Sequence, residues 1–169
     1  LGSYIEKKEL LVIKFKNCAA ISLLALFAMG TAGFSACSVD SAAISSNGKV
    51  FTFRVELAAT PEDRAIGLMF RRQMDVDSGM MFIYPNPSYL VFWMKNTYIS
   101  LDILFFDKTG LITKVLRNNA PLSQKKLIGG PNLVGALELL AGSSSLLGLG
   151  VGDQIQYPLL DQETAVWPC

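Results

Sequence analysis

The chain has 169 residues, of which 51% are hydrophobic, with fifteen basic and fourteen acidic side chains and no histidine. This length suits one domain with an appendage, and the near-neutral charge argues against nucleic-acid binding, which needs a basic surface. The lack of histidine excludes Ser-His-Asp and Cys-His catalysis and the common zinc sites that use imidazole.

Residues 1–37 are predicted to be an N-terminal extension with an export signal. A charged segment at 14–17 precedes an apolar run at 18–30, which is too short for a spanning helix of about 20 residues. The sequence Phe34-Ser-Ala-Cys37 is similar to a bacterial lipobox, in which the cysteine is acylated after cleavage. Ordinary cleavage after 41–43 is the alternative and gives a soluble secreted protein. We therefore expect an exported protein, either periplasmic or anchored to the membrane of the bacterial envelope as a lipoprotein through Cys37.

Only Cys37 and Cys169 follow the apolar run, and Cys37 is the predicted acylation site. The sequence therefore predicts no internal disulfide, although the expected compartment is oxidising. Beyond residue 37 there are eleven basic and twelve acidic side chains, so the exported part is nearly neutral.

A small polar tether is predicted at 38–49, followed by a single β domain at 50–158 and an unpatterned C-terminal tail at 159–169. Residues 50–57 alternate apolar and polar side chains, which predicts a strand with one exposed face. A helix is predicted at 60–69, because Thr60 can cap it and Pro61 suits its first position.

Short strands separated by turns are predicted in the rest of the domain. A long aromatic and β-branched stretch at 89–107 is interrupted at 96–97, and a loop without periodicity is predicted at 117–134. The other predicted elements are strands at 80–84, 111–116, 136–140 and 151–157, turns at 85–88 and 107–110, and a short helix at 142–147. No parallel β-α-β unit is visible, so the predicted fold is mainly β, an antiparallel β-sandwich, jelly-roll-like or a partly open barrel, with one or two short helices.

The motifs at 62–71, 79–82 and 92–103, with the closing segments at 137–142 and 148–153, resemble the bacterial and archaeal family called domain of unknown function 192. The Trp-Met-Lys-Asn-Thr run within 92–103 makes the resemblance specific. The resemblance implies a mainly β, jelly-roll-like sandwich and an exported location, and it implies no particular reaction.

Polar side chains within the predicted strands are the candidate site. A charge inside a strand core must be paired or lose several kcal/mol of solvation. One interpretation is therefore purely structural, with Lys95 paired to Asp102 and Arg64 paired to Glu138. The other is a concave site for a polar ligand, such as a saccharide or cell-wall fragment, with Trp93 as a stacking surface. The candidate ligand-binding residues are Arg64, Arg71, Trp93, Lys95, Asn96, Asp102 and Glu138.

Three other functions stay open from the sequence. Two carboxylates can hydrolyse a glycoside when they lie about 5–9 Å apart, so Asp102 and Glu138 are a possible hydrolase pair. Thioethers prefer Cu(I) or Ag(I), so the five methionines between Met69 and Met94 are a possible soft-metal site, although methionine also fills irregular cores. The 117–134 loop is a possible surface for an envelope protein partner. We expect non-catalytic binding of a ligand or partner, with no catalytic residue, no resident metal and no cofactor.

Overall fold

The computed structural model describes residues 37–169, so the predicted export signal lies outside the described residues. This part of the chain forms seven strands and two short helices. They are β1 (Ser41–Ser46), β2 (Lys49–Ala58), α1 (Pro61–Ile66), β3 (Ser78–Phe92), β4 (Leu101–Asp107), β5 (Ile112–Asn119), β6 (Leu127–Leu140), α2 (Ser143–Leu147) and β7 (Gln154–Gln156). Neither helix in the described part is long and apolar enough to cross a membrane.

All seven strands belong to one curled sheet in the order β5-β4-β6-β3-β2-β1-β7. The two edges of the sheet approach each other at a single bridge between Leu111 and Gln154, which gives a half-barrel and confirms the predicted mainly β, partly open architecture. The sheet is mixed and not wholly antiparallel, because β2 and β3 pair in parallel through Arg54–Ala58 and Ser78–Phe82. The segment between these two strands, which contains α1, supplies the crossover that a parallel pair requires.

Two segments that lack a clear strand pattern are nevertheless paired in the sheet. Residues 41–46 were predicted to be a tether, but they form β1, which pairs with both β2 and β7. This pairing buries Ala42 and Ile44, whose small neighbours gave the segment its linker-like composition. The prediction of a loop over the whole of 117–134 is also wrong, because β5 extends to Asn119 and β6 begins at Leu127.

Strand β3 runs through the predicted turn at 85–88. Its register against β6 shifts between Ile83 and Ser88, and this irregular stretch contains Pro85 and Pro87. Proline has no N–H to donate to a neighbouring strand, so the ladder is interrupted there and resumes beyond it.

Apolar side chains cover both faces of the sheet. One cluster, which we call the inner core, contains Phe53, Met81, Leu104 and Leu137. The other, the outer core, lies on the opposite face and contains Met80, Phe82, Ile103 and Phe105 among others. Successive residues of a strand point to opposite faces, which is why the neighbours Met80 and Met81 belong to different cores.

Helix α1 begins where the sequence predicts, but it is shorter than predicted and none of its residues is buried. The Thr60 hydroxyl accepts a hydrogen bond from the Asp63 N–H at 3.1 Å, and Pro61 occupies the first turn. The helix ends at Ile66 because Gly67 adopts a positive φ of 50°, and a Cβ there would lie 3.1 Å from the Phe82 ring. This close approach brings the 64–69 segment against β3.

The C-terminal tail is packed against the domain. Leu160 is buried in the inner core, and the Tyr157 hydroxyl donates to the Val39 carbonyl at 2.6 Å. Cys37 and Cys169 form a disulfide, with their Cα atoms 5.8 Å apart. The prediction of no internal disulfide is therefore wrong. It depended on treating Cys37 as acylated, and sequence alone cannot show that the two ends of the described chain meet.

Candidate functional site

Glu138 lies in the middle of the sheet and points to the outer-core face. In the pairing of β6 with its two neighbours, Glu138 is opposite Met80 on β3 and Ile103 on β4. Its side chain lines the floor of a pocket of about 70 Å³ between α1, β3 and the segment that follows β3. This Glu138 pocket is lined by Arg64, Ala65, Ile66, Gly67, Leu68, Met69, Phe82, Tyr84, Val91, Phe92, Trp93, Lys95, Thr97 and Glu138.

The Glu138 carboxyl has no protein partner in the described part of the chain. Only 4% of the residue is exposed, yet no hydrogen bond or ion pair to its side chain exists among residues 37–169. Burial disfavours the charged form and raises the pKa of Glu138 from 4.5 to about 8. Its oxygens keep some contact with solvent at the pocket, since no side-chain oxygen or nitrogen of the described residues is both fully buried and without a partner. A nearly buried carboxyl that opens into a pocket is a candidate to bind an external group.

Replacement of Glu138 with glutamine is expected to stabilise the unliganded protein at alkaline pH. The pKa of Glu138 is raised above its unfolded value of 4.5, so its stabilising contribution is complete below pH 4.5 and is lost as the pH rises to about 8. Glutamine cannot ionise. The free energy of unfolding of the Glu138→Gln variant should therefore exceed that of the wild type by about 2–4 kcal/mol at pH 8 and by less than about 1 kcal/mol at pH 5. Urea unfolding at both pH values measures this difference.

The control for that experiment is Glu62→Gln, which changes an exposed glutamate on α1. It should leave the free energy of unfolding within about 0.5 kcal/mol of the wild type at both pH values. An equal advantage of Glu138→Gln at pH 5 and pH 8 would contradict the assigned ionisation of the buried carboxyl.

Two cationic side chains line the Glu138 pocket, and each lies over an aromatic ring. The Arg64 guanidinium lies 4.5 Å from the centroid of the Tyr84 ring, and its Nη1 donates to the carbonyls of Ala59 and Ile83. The Lys95 ammonium lies 5.2 Å from the centroid of the Trp93 ring. No carboxylate within residues 37–169 forms an ion pair with either cation.

Four of the seven predicted ligand-binding residues therefore meet in one place, namely Arg64, Trp93, Lys95 and Glu138. Asn96 lies beside the pocket and directs its side-chain amide to the Met69 sulfur at 3.8 Å. The predicted ion pairs of Arg64 with Glu138 and of Lys95 with Asp102 do not form among the described residues.

Arg71 and Asp102 lie outside the Glu138 pocket. Arg71 forms an ion pair on the surface with Glu56. Asp102 is opposite Leu139 in the sheet, so its side chain points to the inner-core face. There it is fully buried and accepts hydrogen bonds from Ser144 and from two other backbone N–H groups.

The prediction that Asp102 and Glu138 form a hydrolase pair is therefore wrong, because their side chains point to opposite faces of the same sheet. A glycosidase needs both carboxyl groups on either side of one bond of the substrate. The register of β4 against β6, in which Ile103 and not Asp102 is opposite Glu138, excludes that arrangement.

The predicted methionine cluster is likewise divided by the sheet. Met81 lies in the inner core, whereas Met80 and Met94 are buried in the outer core, Met74 packs against it, and Met69 lines the Glu138 pocket. Met81 therefore cannot share a metal ion with the other four methionines, so the cluster of five does not form one site. Within residues 37–169 no cluster of His, Cys, Asp or Glu could hold a metal either.

Sequence reasoning missed Tyr84 and Thr97 as residues of the pocket. Tyr84 is half-buried, and burial raises the pKa of its hydroxyl, with Arg64 lowering it and Glu138 raising it further. Thr97 donates to the Lys95 carbonyl at 3.3 Å. The period-two pattern of β3 could have found Tyr84, because Met80, Phe82 and Tyr84 alternate onto one face.

A second cleft is larger but holds no buried charge. Its volume is about 400 Å³, and it lies between the proline-containing part of β3 and the C-terminal tail, with Lys108 and Asp161 at its edge. None of the seven predicted residues lines it. The smaller Glu138 pocket is the better candidate, because it alone of the two is lined by a nearly buried ionisable side chain.

The comparisons with known proteins agree with the fold. Residues 42–157 match the model of the family described as uncharacterized ACR, domain of unknown function 192. The chain belongs to this family. The match covers all seven strands except the first residue of β1, and it includes all the residues that line the Glu138 pocket.

Two solved structures are similar to this member of the family. A Sinorhizobium meliloti 1021 protein, proposed to be a transcription regulator, is 36% identical, with a TM-score of 0.67 over 70% of this chain and 93% of that one. A protein of unknown function from Novosphingobium aromaticivorans DSM 12444 is 30% identical, with a TM-score of 0.69 over 74% and 89% of the two chains. No curated protein matches the chain significantly.

Proposed function

We propose that this family member is a non-catalytic binding module that takes a polar end group of a saccharide or cell-wall fragment into the Glu138 pocket. The observation that carries the proposal is the nearly buried Glu138 carboxyl, 4% exposed, which lines a pocket and forms no hydrogen bond or ion pair within residues 37–169. A bound polar group compensates for the lost solvation of such a carboxyl.

The shape of the pocket supports recognition of one group and not of a whole ligand. Pockets that enclose drug-sized ligands measure about 300–1,000 Å³, whereas this one measures about 70 Å³. The rest of the ligand would lie on the surface outside, where Trp93 is 52% exposed and offers a flat stacking face for a sugar ring.

We further propose that the protein is exported, as the soluble form and not as the lipoprotein anchored through Cys37. The Cys37–Cys169 disulfide supports export, since disulfides persist in oxidising compartments. The same sulfur cannot carry both a disulfide and an acylglyceryl thioether, so the disulfide favours the soluble, periplasmic form.

The test of the binding proposal is a thermal-shift screen of the purified protein against envelope saccharides and peptidoglycan fragments. A ligand at 100 times its Kd adds about 2.7 kcal/mol to the free energy of unfolding, which is expected to raise the Tm by at least about 5 °C. Trp93→Ala should abolish the shift.

The matched control is Trp167→Ala, because Trp167 is the other tryptophan and does not line the pocket. It should leave the ligand-induced rise in Tm unchanged. A ligand whose effect on the Tm survives Trp93→Ala would bind elsewhere and would contradict the assignment of the site.

A further inference from the structure

We infer that the ligand group which enters the Glu138 pocket is a carboxylate, so that the ligand is an acidic saccharide. This inference rests on the proposed binding function and adds to it the charge of the recognised group.

The charge distribution of the pocket favours an anion. Arg64 and Lys95 both line it, and no carboxylate of the described chain is paired with either. A ligand ammonium would meet two like charges, whereas a carboxylate would be neutralised by them. The volume of about 70 Å³ is a little more than twice the share of one water molecule in the liquid, about 30 Å³, which suits a small planar group.

The donors of the pocket also match a carboxylate. Arg64 uses only Nη1 for the carbonyls of Ala59 and Ile83, so its Nε and Nη2 hydrogens have no acceptor among the described residues. A guanidinium edge with two N–H groups binds both oxygens of a carboxylate. Lys95 adds an ammonium that lies beside the Trp93 ring.

Glu138 supplies a third donor when it is protonated. The charged residues that line the pocket with it are Arg64 on α1 and Lys95 after β3, and Tyr84 on β3 is the other titratable residue there. The residues opposite it on β3 and β4, Met80 and Ile103, are uncharged. Because burial keeps this carboxyl protonated up to about pH 8, it can donate its O–H to an anionic oxygen, a strong charge-assisted hydrogen bond.

The expected pH dependence follows from this third donor. As the pH rises above about 8, Glu138 loses its proton and repels a bound carboxylate. The affinity for an acidic sugar should therefore fall at alkaline pH, whereas the affinity for a neutral sugar should not.

Two pairs of sugars test the inference, N-acetylmuramic acid with N-acetylglucosamine, and glucuronic acid with glucuronamide. The first pair differs in the lactyl ether group that carries the carboxylate, and the second differs only in the replacement of the carboxylate by a carboxamide. Binding is followed by NMR on the indole N–H of Trp93, with Trp167 as the internal reference. We expect each acid to bind at least about tenfold more tightly than its neutral partner at pH 6, and this advantage to shrink about tenfold at pH 9.5.

Variants of the chain separate the contributions. In Glu138→Gln the side-chain amide still donates but cannot ionise, so the preference for the acid should persist at pH 9.5. Lys95→Gln should weaken binding of the acid about three- to tenfold and leave the neutral sugar unaffected. Lys114→Gln is the control, since Lys114 lies on β5 and does not line the pocket.

Equal affinities within both pairs would overturn the inference and leave the proposed binding function standing. Failure of both acids to move the Trp93 signal would also overturn it. The binding function is then judged separately by the thermal-shift screen, where a neutral ligand that depends on Trp93 would support it and a complete lack of hits would contradict it.

Discussion

Replacement of Asp102 with alanine is expected to lower the free energy of unfolding by about 3–5 kcal/mol. One carboxylate oxygen accepts from the Asn118 N–H at 2.8 Å. The other accepts from the N–H groups of Gly142 and Ser144 at 3.1 and 3.0 Å and from the Ser144 hydroxyl at 2.6 Å. Alanine leaves three backbone donors without this acceptor, of which the Ser144 N–H is buried and the other two are partly buried, and each costs the solvation that it lost on folding.

This carboxylate replaces a helix cap that the local sequence lacks. The N-cap residue of α2 is Gly142, which has no side chain with which to accept from the first turn of the helix. Asp102 lies 40 residues before Gly142 in the chain, yet it accepts hydrogen bonds from the Gly142 and Ser144 N–H groups instead. Together with its bond from the Asn118 N–H, these contacts join β4 to α2 and to the end of β5. A negative charge at a helix N-terminus is favourable.

Urea unfolding followed by far-UV circular dichroism measures the effect of Asp102→Ala. Ser144→Ala is the graded control, because it removes one of the four hydrogen bonds and should cost about 1 kcal/mol. A loss of less than about 1 kcal/mol in Asp102→Ala would show that the N–H groups find other acceptors, and Asp102 would then no longer have a structural role.

Reduction of the Cys37–Cys169 disulfide is expected to destabilise the domain by about 3–5 kcal/mol. The bond joins residues separated by 132 positions, so it closes a long loop and removes much conformational freedom from the unfolded chain. Its loss also frees the C-terminal tail, whose Leu160 is buried in the inner core. Unfolding midpoints with and without a phosphine reductant measure this effect.

The double variant Cys37→Ser with Cys169→Ser is the control, since the reductant has no disulfide to cleave in it. Its midpoint should match that of the reduced wild type and should not respond to the reductant. An unchanged midpoint for the reduced wild type would contradict the expected stabilisation. Intact mass of protein isolated from the producing cell distinguishes a disulfide, which lacks two hydrogens, from an acylated Cys37.

Much of the candidate site could be predicted from the sequence because its residues are chemically unusual where they stand. Trp93, Lys95 and Glu138 interrupt or adjoin apolar strand patterns, and Arg64 follows a well-formed helix start. All four line the Glu138 pocket. Asp102 interrupts its strand in the same way, yet it binds backbone N–H groups on the other face. Unusual chemistry marks a buried polar residue, but it does not tell whether the partner is the protein itself or a ligand.

Strand β1 shows a second limit of local patterns. Residues 41–46 contain serine and alanine with a single large apolar side chain, which is typical of a tether. They become a strand because β2 and β7 supply the hydrogen-bond partners on both sides. Similarly, β7 has only three residues, too few for a pattern of its own.

By itself the sequence determined the mainly β class, the family, the capped start of α1 and the lack of any histidine-based chemistry, because alternation, capping and composition are local properties. Only the tertiary structure decided that β2 and β3 pair in parallel, that Cys37 meets Cys169, and that Glu138 and Asp102 point to opposite faces. These depend on strand register and on contacts between distant parts of the chain. A shift of one residue in that register reverses the face on which every side chain of a strand lies.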